Sequence, residues 1–242
     1  MMRRAGLLAV SIGLAAAPLG AVACGSRDVL PAERHGVAAR QATPDAGVSS
    51  PGLAAPPRIV ILGDSLTAGL GLSVDEAYPA LLQRRLQERR LNYQIVNAGV
   101  SGDTSAGGLS RLDWALEGNV KILVLALGAN DGLRGVPVDE LKRNLDAIIR
   151  RTQARGVTVV LAGMEAPPNF GRQYTQAFHD VYPDLARQYR LSLVPFLLQG
   201  VAAVDALNQR DGLHPNSEGA QVVADNVWAV LEVALGRRTA RD

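Results

Sequence analysis

Hydrophobic positions along the chain follow two alternating rhythms. Short apolar runs rich in β-branched residues, at 59–62, 93–96, 122–127, 158–161 and 191–194, are too brief for helices and read as strands. Between them, at 78–90, 105–116, 138–155 and 173–189, lie longer stretches that predict helices. A last helix is expected over 217–235, with Ser217 as its cap and Gly236 as its stop. Strands that alternate with helices predict an α/β domain, in which right-handed crossovers build a parallel sheet covered on both faces. The run Ile122-Leu123-Val124-Leu125-Ala126-Leu127 has no polar position, as a strand buried from both sides requires.

The first 57 residues break this rhythm. Arg3 and Arg4 precede an apolar run over 5–18, and Ala21-Val22-Ala23 precedes Cys24, which is the layout of a secretory signal peptide over 1–23. The apolar run is shorter than the ~20 residues needed to span a bilayer. A Cys directly after two small residues also resembles a bacterial lipoprotein box, although Ala21 stands where that box usually has Leu. Simple cleavage and lipidation of Cys24 are both open readings. Residues 24–57 scatter a few Val and Leu among Ala, Pro, Gly, Ser, Arg and Asp without a period. They predict a disordered tether, followed by a folded domain over 58–236 and a tail at 237–242. The expected location is periplasmic or membrane-anchored by a lipid on Cys24, otherwise secreted.

Composition narrows the function. The chain has 242 residues, 25 basic and 23 acidic; without Arg3 and Arg4 the balance is even, so the basic footprint of a nucleic-acid binder is missing. A single cysteine excludes an intrachain disulfide and clustered thiolate metal sites. No cofactor, no metal and no obligate partner chain is indicated, and a monomer is expected.

In a sheet of this kind the loops at the carboxyl ends of the strands converge on a crevice, so candidate chemistry is sought there. The first strand runs into Gly63-Asp64-Ser65-Leu66, the second into Asn97-Ala98-Gly99-Val100-Ser101-Gly102-Asp103-Thr104, the third into Gly128-Ala129-Asn130-Asp131. A serine hydroxyl attacks only when a base takes its proton, and the base needs an acid to orient it. Of three histidines, His35 lies in the tether and His179 in mid-helix, which leaves His214, with Asp211 three residues before it and Pro215 after it. Asp211-Gly212 also reads as a turn, and Asn216 or Ser217 as a helix cap. Donors for a developing oxyanion are available from the Gly102 N–H, the Asn130 amide and the Ser65 N–H.

Gly63-Asp64-Ser65-Leu66, Gly102 in Ser101-Gly102-Asp103-Thr104, Gly128-x-Asn130-Asp131 and Asp211-x-x-His214-Pro215 resemble, in order, the four blocks of the SGNH or GDSL hydrolases. The resemblance extends over 58–235 and is nearest to the bacterial thioesterase I, lysophospholipase and arylesterase branch. It implies a flavodoxin-like three-layer sandwich with a five-stranded parallel sheet of order 2-1-3-4-5. It also implies Ser65 as nucleophile, His214 as general base, Asp211 as its orienter, and Ser65, Gly102 and Asn130 as the oxyanion hole. The expected activity is hydrolysis of carboxylic esters and thioesters, such as lysophospholipids, acyl thioesters and aryl esters, through an acyl-Ser65 intermediate. The stretch Gly132-Leu133-Arg134-Gly135 resembles the mobile loop that shapes the acyl groove in that branch, and Leu133, Val136, Phe170 and Tyr174 are candidate groove residues.

Two rival readings stand beside it. The same catalytic groups serve a carbohydrate acetylesterase, and a bare flavodoxin-like sheet serves a binding module. Gly63-Asp64-Ser65 has neither the glycine spacing of a dinucleotide site nor a Walker lysine, and no Gly-x-Ser-x-Gly elbow occurs in the chain.

Overall fold

A computed structural model describes residues 55–239. The expected signal peptide over 1–23, Cys24, His35 and nearly all of the expected tether lie outside the described residues. In chain order the elements are β1 (Arg58–Gly63), α1 (Ser65–Ala68), α2 (Tyr78–Glu88), β2 (Gln94–Gly99), α3 (Ser105–Ser110), α4 (Leu112–Ala115), β3 (Val120–Ala126) and α5 (Ala129–Leu133). There follow α6 (Val138–Ala154), β4 (Thr158–Ala162), α7 (Arg172–Tyr189), β5 (Ser192–Val194) and α8 (Ser217–Thr239).

The five strands pair in parallel in the order β2-β1-β3-β4-β5, as the family resemblance implies. Residues 122–127 of the central strand and its end are fully buried, because helices cover both faces. On one side α2 packs against α8; on the other α6 lies between α3 and α7. The register places Gly63 beside Gly99 and Ala126, so three strands end level and deliver their following loops to one edge.

β2 is an edge strand, and its free backbone groups are met by a side chain rather than by another strand. Gln83 of α2 accepts from Ile95 N–H at 2.7 Å and donates to the Tyr93 carbonyl at 3.2 Å. One amide thus stands in for a neighbouring strand and blunts an edge that would otherwise invite pairing.

Several boundaries differ from the sequence reading. The Pro57 carbonyl accepts from Gln94 N–H at 2.9 Å, so the pairing with β2 starts one residue before β1. The helix expected over 105–116 is broken at Arg111, whose backbone (φ −106, ψ 11) lies outside the helical range. Asn216, not Ser217, caps α8: its side chain accepts from Gly219 N–H at 3.0 Å. α8 continues through Gly236 to Thr239, since a glycine in helical conformation costs only about 1 kcal/mol relative to alanine and does not by itself end a helix. The single turns α1 and α5 escape periodicity because four or five residues are too few to show it.

Candidate active site

Ser65 opens α1, one residue after β1. Asp64 caps that turn, its carboxylate accepting from Leu66 N–H at 3.0 Å, and Thr67 shares a buried 2.7 Å hydrogen bond with Tyr78 of α2. The turn lies so close on its strand that a Cβ at Gly63 would stand 2.0 Å from Thr67 Oγ1, which only glycine avoids. The turn that carries the serine is therefore anchored by its cap, by Tyr78 and by its close approach to β1.

Its hydroxyl meets the base that the sequence assigned to it. Ser65 Oγ lies 2.9 Å from His214 Nε2, across 149 residues of chain, and His214 Nδ1 lies 2.6 Å from Asp211 Oδ2. The other oxygen of Asp211 accepts the backbone N–H groups of Leu213 (2.9 Å) and His214 (3.0 Å). These hydrogen bonds, the His214 backbone first, lower Asp211 from its ordinary range to about 2, so it is ionised at any working pH. An ionised Asp211 places the imidazole proton on Nδ1 and leaves Nε2 to accept from Ser65.

The candidate oxyanion donors assemble at the same edge. Asp103 N–H donates to the Val100 carbonyl at 3.0 Å, closing a turn in which Gly102 takes φ +86, a conformation that favours glycine. Asn130, the second residue of α5, donates to the Asp103 carbonyl at 2.9 Å, and its amide nitrogen is 3.5 Å from Asp64 Oδ2. Among the described residues neither Ser65 N–H nor Gly102 N–H has a protein acceptor, which leaves both for a ligand.

The sequence reading gives no role to three supporting features, although Asp64 and Asp131 stand inside its motif blocks. Asp64 is fully buried, and desolvation raises its carboxyl to about 6 against the lowering effect of Leu66 N–H and His214. Ser105 binds both oxygens of buried Asp131, through its N–H (2.8 Å) and its hydroxyl (2.5 Å), tying the start of α3 to α5. Arg134 donates to the Gly102 carbonyl at 2.8 Å and joins the loop after α5 to the turn.

The four candidate groove residues also lie together. Phe170 packs on Tyr174 with ring centroids 5.2 Å apart, Tyr174 donates to the Val136 carbonyl at 2.7 Å, and Leu133 and Phe170 are exposed. A separate narrow crevice beside Ser65 and His214 is lined by Leu66, Leu70, Leu72, Pro215 and Val223, and none of the four contributes to it. His179 is outside the site; its ring pairs with Glu165 at 2.6 Å. Among the described residues no group of three or more His, Cys, Asp or Glu is arranged to hold a metal ion.

Residues 61–222 match the GDSL-like lipase/acylhydrolase family. Esterase TesA of Pseudomonas aeruginosa is 43% identical over 183 residues, covering 75% of this chain and 91% of its own. The thioesterase 1/protease 1/lysophospholipase L1 of Escherichia coli K12 is 39% identical over 173 residues, covering 71% and 82%. Among solved structures, esterase EstA from Pseudoalteromonas sp., inhibited by monoethylphosphonate, has a TM-score of 0.71 at 34% identity and covers 74% of this chain and 98% of its own.

Proposed function

The chain belongs to the GDSL-like lipase/acylhydrolase family and is a serine esterase; we propose that Ser65 is its nucleophile, His214 its general base and Asp211 the group that orients the base. The observation that carries this assignment is the unbroken relay from Ser65 Oγ through His214 to an ionised Asp211, at 2.9 and 2.6 Å. As Ser65 Oγ bonds to the acyl carbon, its proton passes to His214 Nε2, and Asp211 holds the resulting imidazolium. The carbonyl oxygen becomes an oxyanion between Ser65 N–H, Gly102 N–H and the Asn130 amide. Collapse breaks the bond to the alcohol or thiol, which leaves with the proton from His214. Water then repeats the sequence on acyl-Ser65 and releases the acid.

The substrate class we infer is the carboxylic ester or thioester with an apolar acyl chain. Leu133 at the end of α5 and Phe170 in the segment after β4 offer an exposed apolar surface. The relatives named as an esterase and as a thioesterase and lysophospholipase support that range. We infer that residues 1–23 export the enzyme, which is then held at a membrane by lipid on Cys24 or, with simple cleavage, is periplasmic or secreted.

The decisive experiment replaces Ser65 and His214 by alanine singly and together. Because the pair moves one proton as a unit, each single change should remove nearly all hydrolysis of a p-nitrophenyl ester, and the double change should do little more. A Ser65→Ala enzyme that keeps substantial turnover, or that is still labelled by a fluorophosphonate, refutes the assignment.

A further inference from the structure

Arg111 lies at the break between α3 and α4 and touches no group that reacts, yet each nitrogen of its guanidinium donates a hydrogen bond. Its Nε donates to Asp103 Oδ2 at 2.6 Å, one terminal nitrogen to the Ala98 carbonyl at 2.8 Å, and the other to the Gly63 carbonyl at 2.9 Å. The side chains of Arg111 and Asp103 are 17% and 18% exposed, so this ion pair is shielded from the screening that weakens surface pairs. Three segments therefore meet on one rigid fork: the end of β1 that delivers Asp64 and Ser65, the end of β2, and the turn that holds Gly102.

Asp103 stands between the two outer donors of the oxyanion hole. It follows Gly102 in the chain, and its carbonyl is the acceptor that holds the Asn130 amide at 2.9 Å. Its N–H closes the turn that gives Gly102 its positive φ. Any shift of Asp103 moves Gly102 N–H and releases Asn130 together. We propose that Arg111 is a positioning residue of the esterase, which sets the geometry of the oxyanion hole through Asp103. The inference rests on the reading of Gly102 and Asn130 as oxyanion donors.

The chemistry explains the residue type. A planar fork with donors in fixed directions can satisfy a carboxylate and two carbonyls at once, whereas the ammonium of lysine is a compact point charge without the fork. Oxyanion donors act mainly on the transition state, so a misplaced hole lowers kcat and leaves KM nearly unchanged. A side chain that only stabilised the fold would reduce the folded fraction and spare the turnover of the molecules that remain folded.

The test compares Arg111→Ala, Arg111→Lys and Asp103→Asn on a p-nitrophenyl ester, with the folded fraction of each followed by circular dichroism. Arg111→Ala is expected to lose about 10²-fold in kcat with KM changed less than about threefold, the size of losing one hole donor. Millimolar guanidinium ion should restore at least about tenfold of that loss, and sodium chloride at the same concentration should not. Combined with Asn130→Ala, the Arg111→Ala loss should shrink well below its single-variant value, because both act on one set of donors. Unchanged kcat in folded Arg111→Ala, or losses that multiply with Asn130→Ala, would overturn the proposal. If Arg111→Ala does not fold, Arg111→Lys and Asp103→Asn decide the matter by the same kcat and KM split: both must lower kcat with KM held. Should Asn130→Ala itself leave kcat intact, the reading of the hole fails, whatever Arg111 does.

Discussion

Asp64 carries a carboxylate into the protein interior next to the nucleophile, and its folded value of about 6 lies above its ordinary 3.8 because burial disfavours the charge. The folded state thus holds this proton more tightly than the unfolded chain does. Its contribution to stability is fully present below about pH 4 and is lost as pH rises through about 6, a span worth on the order of 3 kcal/mol. Asparagine keeps an oxygen for Leu66 N–H but has no charge to bury. Asp64→Asn should therefore gain stability relative to the natural enzyme between pH 4 and pH 7, as measured by urea unfolding at both values. A constant difference across that range would mean that Asp64 ionises in the folded protein as an ordinary carboxylate does.

At the scale of single elements, β2 depends on a side chain from α2. Gln83→Ala leaves Ile95 N–H and the Tyr93 carbonyl without their amide, and the expected cost is about 1–2 kcal/mol of unfolding free energy. Activity at low temperature should be retained, while aggregation on heating should begin earlier, because the strand edge is then open. Unchanged stability would show that water replaces the amide without loss. The end of α5 offers a different test. Leu133 is 46% exposed there, so its removal costs little folding energy, and Leu133→Ala should reduce the advantage of long-chain over acetyl p-nitrophenyl esters. Equal losses at every chain length would assign the effect to folding instead.

On the scale of the whole molecule, no helix among the described residues is long and apolar enough to cross a membrane, so the proposed attachment rests on residues 1–24. One acyl chain gives only marginal anchoring, and stable attachment takes more than one. The full-length protein expressed in a bacterium should partition into detergent and Cys24→Ser into the aqueous phase, with kcat and KM alike for the two. An aqueous wild-type protein with an unmodified mature N-terminus would sink the anchor and leave the chemistry of Ser65 untouched.

What the sequence by itself determined is whatever a local run of residues can encode. The unbroken apolar run at 122–127 fixed the central strand, and the alternation of strands with helices fixed the class of fold. The groups following three strands, with Asp211 and His214 before the last helix, named the candidate relay and the candidate oxyanion donors, because strand ends are where an α/β sheet gathers reactive groups. Tertiary structure alone decided what depends on residues far apart in the chain. Asp103 precedes α3 and Arg111 follows it, so no single helix presents the two together, and the carbonyls that Arg111 also binds carry no side-chain identity at all. Gln83 reads as an ordinary surface residue of a helix until β2 is set beside it. The raised value of Asp64 follows from burial, which is a property of the packed molecule and not of the Gly-Asp-Ser-Leu string. Periodicity reports which face of an element is buried; which polar atoms meet across the fold is settled only when the strands lie in register and their ends come level.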